Sequence, residues 1–108
     1  MSTTEKTTKQ TVVINEKGIL KTAELFKSVS HKLRIKIIKL LQKQGRVNVN
    51  VIYRTLEMEQ SITSQHLKSL REANVVNTQK EGKKIFYSLN TDRFVAINEA
   101  IKVLGLEK

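Results

Sequence analysis

The stretch EQSITSQHLKSLREA, residues 59–73, decides the fold, because its side chains separate onto two helical faces. Thr63, Leu67 and Leu70 follow the spacing i, i+4 and i+7 and so share one inward face of a helix. The opposite face carries small hydroxyls, an amide and one lysine: Ser61, Ser64, Gln65 and Lys68. Such side chains suit hydrogen bonds to the edges of DNA bases, because they allow close approach. An ordinary solvated polar face remains the alternative.

The segment before this helix, RVNVNVIYRTL at residues 46–56, carries two overlapping periodicities. Alternating valines indicate a short strand around Val47, which we expect to pair with a later hairpin. Val49, Ile52 and Leu56 have the spacing of one helical face, so a helix should follow, capped by Asn48. Val51 would then point outward, which is unexpected for its type.

Two further helices are predicted nearer the N-terminus. Asn15 is a plausible cap for the first, which should run to about Val29, and residues 1–14 are expected to be a mobile polar tail. The second helix should cover residues 31–44, capped by Ser30 and ended by Gly45 in a left-handed conformation. Its buried face is predicted to be Leu33, Ile37, Ile38, Leu40 and Leu41.

Beyond the central helix, VVNTQKEGKKIFYSLN at residues 75–90 has the composition of a β-hairpin. The pair Glu81-Gly82 is predicted to form its two-residue turn. Lys80, Lys83 and Lys84 surround this turn, and beside a polar helix they resemble a clamp for DNA phosphates.

A final helix is predicted after the hairpin, capped by Thr91 or Asp92. Its apolar stripe is wide for a terminal helix of so small a domain, which favours homodimerisation. We expect the dimer interface to use apolar residues of the two terminal helices: Ile19, Phe26, Phe94, Ile97, Ile101 and Leu104.

The composition narrows the function further. The chain has 108 residues, enough for one domain, and 20 Lys and Arg against 10 Asp and Glu give a formal charge of +10. That excess suits a polyanion, above all a nucleic acid. The absence of cysteine excludes disulfides and thiolate metal sites. No apolar run reaches the ~20 residues of a membrane span, so we expect a cytoplasmic protein.

The predicted order of helices and strands is that of a winged helix-turn-helix, and three segments resemble the ArsR/SmtB family of bacterial transcriptional repressors. SHKLRIKIIKLL (30–41) is similar to the family's second helix, with Arg34 at its characteristic arginine. LEMEQSITSQHLKSLREANVV (56–76) is similar to its helix-turn-helix, and KEGKKIFYSLN (80–90) to its wing. The resemblance spans roughly residues 19–105.

The resemblance implies a mainly α (α+β) fold with about five helices and a wing of two to three strands, in a domain spanning residues 15–108. It also implies a symmetric dimer that binds a pseudo-palindromic operator in double-stranded DNA, as a repressor on the bacterial nucleoid. Gln60, Ser61, Ser64 and Gln65 would contact bases or lie near them. Lys68, Lys80, Lys83 and Lys84 would contact phosphates. His66 would have a structural role.

Two residues depart from the family pattern. Glu59 stands where the family usually has a serine that caps the recognition helix, so this turn is expected to be adjusted or frayed. Thr63 replaces the usual inward valine or isoleucine and should reduce core burial slightly.

The metal sites known from the family are not expected in this chain. Metal-sensing members carry a Cys-x-Cys pair at the start of the third helix, and Asn48 and Asn50 occupy those positions here. Neutral amide oxygens are poor ligands for thiophilic ions. On the last helix Asp92 and Glu99 remain, without histidine. We therefore predict no metal and no cofactor, and an unknown small molecule or protein as any effector.

The sequence leaves two other functions open. A winged-helix protein could bind DNA or RNA without specificity, or it could be a protein-interaction adaptor that binds no DNA. An enzyme is not expected, because the sequence shows no nucleophile–base pair, no glycine-rich phosphate loop and no paired carboxylates.

Overall fold

The computed structural model describes residues 12–105, and within them the order of helices and strands is the one predicted. The elements are α1 (Glu16–Val29), α2 (Lys32–Gln44), β1 (Arg46–Asn48), α3 (Val49–Thr55), α4 (Gln60–Glu72), β2 (Val76–Glu81), β3 (Lys84–Leu89) and α5 (Thr91–Val103). Most of the predicted N-terminal tail lies outside the described residues. No helix among those described is long and apolar enough to cross a membrane.

The core lies between helices α2 to α5 and one face of a small sheet. Its buried side chains are Ile37, Leu40, Leu41, Val47, Ile52, Leu67, Leu70, Val75, Val76, Tyr87 and Ile97. On α4, Thr63, Leu67 and Leu70 have exposed fractions of 0%, 1% and 0%, so the predicted inward face is confirmed. Burial of these side chains fixes which face α4 leaves open to solvent.

The three strands form one antiparallel sheet in the order β1-β3-β2. Val47 pairs with Tyr87, so the short strand does join the hairpin as predicted. The turn is displaced by one residue from the prediction. Glu81 pairs with Lys84, which leaves Gly82 and Lys83 as the loop. Gly82 has φ +63° at the first loop position, where a type II′ turn favours glycine.

The double periodicity of residues 46–56 belongs to two consecutive elements. Asn48 ends β1 with an extended backbone, and its Oδ1 accepts a hydrogen bond of 3.1 Å from the N–H of Val51, which caps α3. Ile52 is fully buried, while Val49 and Leu56 are half-buried beside it. Val51 does not point outward as predicted, because it is half-buried against the same core.

The predicted cap of α2 is wrong. Ser30 keeps a helical backbone and closes α1, where its hydroxyl donates to the carbonyl of Lys27 at 3.2 Å. His31 has the extended backbone of a cap, and its Nδ1 accepts from the N–H of Leu33 at 3.1 Å. Helix α2 ends at Gly45 as predicted, and Gly45 donates its N–H to the carbonyl of Leu41, but with φ +85° and ψ −70° its backbone has positive φ without being left-handed helical.

The two caps predicted for α5, Thr91 or Asp92, are also wrong. Asn90 caps the helix, with its Oδ1 accepting from the N–H of Arg93 at 3.4 Å. The backbone N–H of Asn90 still donates to the carbonyl of Val75, so this residue both ends the wing and begins α5. By contrast, Asn15 caps α1 as predicted, through a 2.9 Å bond from the N–H of Gly18.

Candidate nucleic-acid interface

Helix α4 presents a continuous polar face to solvent. The five side chains predicted to contact DNA from this helix are all exposed: Gln60, Ser61, Ser64, Gln65 and Lys68. The last four lie on the side of the helix away from Thr63, Leu67 and Leu70, whose burial anchors the helix to the core, whereas Gln60 lies in the first turn at the edge of that buried face. The helix can therefore enter a groove of DNA without losing core contacts.

The N-terminus of α4 is regular, although Glu59 stands at its cap. The Glu59 side chain makes no hydrogen bond to the helix backbone and accepts one from the Ser61 hydroxyl at 2.8 Å. The Thr63 hydroxyl donates to the carbonyl of Glu59 at 2.8 Å, so this buried polar group is satisfied. The turn is therefore adjusted rather than frayed, since α4 begins at Gln60 without a side-chain cap, and the carboxylate is favourable near the positive end of the helix dipole.

The turn that joins α3 to α4 uses a left-handed residue that the sequence did not reveal. Glu57 has φ +53°, and the N–H of Met58 donates to the carbonyl of Tyr53 at 2.9 Å. Asn74 repeats this arrangement after α4, with φ +62° and a bond from the N–H of Val75 to the carbonyl of Leu70. Both are Schellman ends, which fix the direction of the chain on leaving each helix.

The tip of the wing carries three exposed lysines and one carboxylate that is already paired. Lys80, Lys83 and Lys84 are exposed. Glu81 forms an ion pair with Arg46 on β1, and the guanidinium of Arg46 lies 4.1 Å above the centre of the Phe86 ring. Because Arg46 holds the only acidic side chain of the tip, the lysine charges remain available to phosphates. Sequence reasoning missed this role of Arg46.

A histidine-arginine cluster supports α4 from behind. The Nε of Arg34 donates to Nδ1 of His66 at 3.1 Å, and its Nη1 donates to the carbonyl of Ser28 at 2.8 Å. The ring centres of His31 and His66 are 4.5 Å apart. Burial lowers the pKa of His66, and the neighbouring His31 and Arg34 lower it further. His66 is thus hydrogen-bonded within the fold, as expected for a structural histidine.

The residues at the family's metal positions have other contacts or lie open to solvent. The Oδ1 of Asn48 is used to cap α3, and Asn50 is exposed in the first turn of that helix. Asp92 and Glu99 are exposed on α5. Over residues 12–105, no three His, Cys, Asp or Glu side chains cluster closely enough to hold a metal ion.

The residues predicted for the dimer interface fall into two groups. Ile19 and Leu104 are 59% and 56% exposed and line a shallow groove between α1 and the end of α5, together with Phe26. Ile97 is only 4% exposed and belongs to the core of its own chain, against which Phe94, Ile101 and also Phe26 pack.

The chain resembles known regulators in sequence. The family model described as "Bacterial regulatory protein, arsR family" matches residues 31–78. The transcriptional repressor PagR of Bacillus anthracis is 37% identical over 77% of this chain and 80% of that protein. The transcriptional activator HlyU of Vibrio cholerae is 34% identical over 80% of this chain and 79% of that protein.

Solved structures of such regulators share the fold. The crystal structure of PagR superposes with a TM-score of 0.66 and 33% identity, covering 83% of this chain and 99% of that one. NolR from Sinorhizobium fredii gives a TM-score of 0.71 with 26% identity, covering 88% and 96% of the two chains.

Proposed function

As a member of the ArsR family of bacterial regulatory proteins, this chain is a DNA-binding transcriptional regulator, and we propose that it acts as a homodimeric repressor of a pseudo-palindromic operator. The observation that carries this proposal is the exposed polar face of α4, together with a wing tip whose three lysines are exposed and whose one carboxylate is paired with Arg46. Binding DNA, rather than catalysis, is the activity assigned to it.

In the proposed complex the two α4 helices of the dimer enter successive major grooves. Their half-sites lie about one helical turn, roughly 34 Å, apart. Gln60, Ser61, Ser64 and Gln65 contact base edges or lie close to them, because their short polar side chains allow the helix to approach. Lys68 and the wing lysines Lys80, Lys83 and Lys84 contact phosphates, which fixes the position of each protomer without reading sequence.

Repression is proposed over activation because two regulators that carry the name repressor have slightly higher identity to this chain than the activator HlyU, which is 34% identical. They are PagR of Bacillus anthracis, at 37% identity, and the biofilm growth-associated repressor of Agrobacterium fabrum, at 36%.

We place the protein in the bacterial cytoplasm, on the nucleoid. We propose that it is not regulated through either metal site of the family, since Asn48 caps α3, an amide is a poor ligand for thiophilic ions, and α5 offers Asp92 and Glu99 without a histidine.

The wing lysines provide the experiment that separates a DNA-binding regulator from an adaptor. Lys83→Ala/Lys84→Ala should weaken binding to every duplex and reduce the slope of log affinity against log salt by about 3 to 4 for a dimer, because four phosphate contacts are lost. The measurement is fluorescence anisotropy with a labelled duplex at several salt concentrations.

The matched control is Lys39→Ala/Lys43→Ala, which removes the same charge from the exposed side of α2. We expect this control to keep the salt slope of the unmodified protein. Equal slopes for the wing variant and the unmodified protein would reject the phosphate contacts. An unmodified protein that binds no duplex would instead support the adaptor.

A further inference from the structure

A cleft of about 680 Å³ opens between α1, the last turns of α4 and the start of α5, on residues that the DNA-binding face does not use. Four of its lining side chains are cationic: Lys21, Lys27, Arg34 and Arg93. Two are acidic, Glu24 and Glu72, so the lining carries an excess of two positive charges. Across residues 12–105, neither carboxylate forms an ion pair within 4.0 Å, so the four cationic side chains of the lining are not neutralised by contact with them.

The two arginines of the cleft are held by the fold with most of their donors unused. Arg34 donates hydrogen bonds from two of its five N–H groups, one to Nδ1 of His66 and one to the carbonyl of Ser28. Arg93 donates one hydrogen bond, from Nε to the carbonyl of Ala73 at 3.2 Å. The remaining N–H groups lie on guanidinium planes that are already oriented by these bonds. A fixed guanidinium binds a carboxylate or phosphate in bidentate geometry at a reduced cost in side-chain entropy.

We propose that this cleft binds a small organic anion, whose carboxylate or phosphate group is held by Arg34 and Arg93, and that this anion is the effector of the regulator. The cleft reaches α4 in two ways: Ser69 and Glu72 line it, and Arg34 is hydrogen-bonded to His66. An anion held by Arg34 and Arg93 therefore links α2 and α5 beside the last turns of the recognition helix. The effector role rests on the DNA-binding function proposed above, whereas the binding site does not.

Isothermal titration calorimetry on the full chain tests the site, with citrate and pyrophosphate as probes at constant ionic strength. We expect saturable binding of one or both probes, and the probe that binds identifies a carboxylate or a phosphate source. Arg93→Ala should weaken binding by about tenfold or more, the effect of losing a charge-assisted contact. Lys102→Ala, which removes the same charge from α5 outside the cleft, should change it by less than about twofold.

Lys27→Ala provides a second variant in case Arg93→Ala does not fold. Lys27 is exposed, so its removal should leave folding intact. It should weaken probe binding by about threefold. The absence of saturable binding for both probes would overturn the site, as would equal losses in Arg93→Ala and Lys102→Ala.

The effector role is tested by measuring DNA affinity with and without the bound probe at matched ionic strength. A change that disappears in Arg93→Ala is the expected result. Saturable probe binding with unchanged DNA affinity would reject the effector role and leave the DNA-binding function standing. If Arg93→Ala by itself weakens DNA binding as much as the wing variant does, the cleft holds DNA phosphates and the proposal is wrong.

Discussion

At the scale of single residues, His66 shows how one side chain couples the recognition helix to the rest of the fold. Its Nδ1 must be unprotonated to accept the hydrogen bond from Arg34, and His31 lies beside it. Burial and these two neighbours hold the pKa of His66 below its usual range. The folded protein therefore binds this proton less readily than the unfolded chain does.

The lowered pKa of His66 predicts how stability depends on pH. Its contribution is fully present above the unfolded pKa of about 6.5 and is lost as the pH falls toward the lower folded value. His66→Gln keeps an acceptor for Arg34 but does not titrate, so its free energy of unfolding should fall less between about pH 7.5 and pH 5.5. Urea denaturation at both values measures this. Parallel losses in the two proteins would show that His66 does not titrate with folding.

Helix caps are the residue-scale features that the sequence predicted least well. Ser30 is a better cap by residue type than His31, yet the chain places Ser30 in a helical backbone and His31 in an extended one. Which of two adjacent side chains can reach a free N–H depends on those backbone angles, and residue type alone does not determine them. The inward face of α4, by contrast, follows from periodicity alone and was predicted correctly.

At the scale of elements, the strand-to-helix junction at residues 46–56 was predictable because both periodicities are strong and Asn48 is a good cap. The two asparagines there are chemically identical but have different contacts. Asn48 is half-buried and accepts the bond from Val51, whereas Asn50 is exposed on the first turn of α3.

This difference predicts unequal mutational effects at the two asparagines. Asn48→Ala should lower the free energy of unfolding by about 1 kcal/mol, because a helix cap is lost. Asn50→Ala should change it by less than about 0.5 kcal/mol, as for an exposed surface position. Chemical denaturation of both variants measures the contrast. Equal losses would mean that the Asn48 side chain does not cap α3.

The turns between elements were harder to predict than the elements. The wing turn lies one residue later than expected, because the pairing of Glu81 with Lys84 extends the ladder and the ion pair with Arg46 holds Glu81 in the strand. The left-handed Glu57 before α4 has no sequence signal, since glutamate rarely adopts positive φ. The turn at Glu57 is closed by local backbone hydrogen bonds, from the N–H of Glu57 to the carbonyl of Arg54 and from the N–H of Met58 to that of Tyr53, which do not depend on the type of side chain.

At the scale of the whole molecule, the dimer remains the prediction on which operator symmetry depends. Ile19, Phe26 and Leu104 line an open apolar groove, while Ile97 is buried within its own chain. The interface we expect therefore centres on the first three residues. Sequence periodicity could place all of these residues on apolar faces, but it could not distinguish core from interface, because both are apolar.

The proposed interface can be tested by introducing charge into the groove. Ile19→Glu/Leu104→Glu should convert a dimer to a monomer in sedimentation equilibrium, because two carboxylates per chain would be buried without partners. Val95→Glu is the control, since Val95 is 63% exposed and lies outside the groove. A dimer that persists in the double variant would place the interface elsewhere.

The central claim is that this protein reads a DNA sequence, and a specificity ratio tests it most directly. Genomic fragments selected by the purified protein supply the operator, and its dissociation constant is compared with that of a scrambled duplex at one salt concentration. We predict that the operator binds at least about 10³-fold more tightly, as for specific regulators. A ratio near one would contradict the claim and indicate a non-specific nucleic-acid-binding protein.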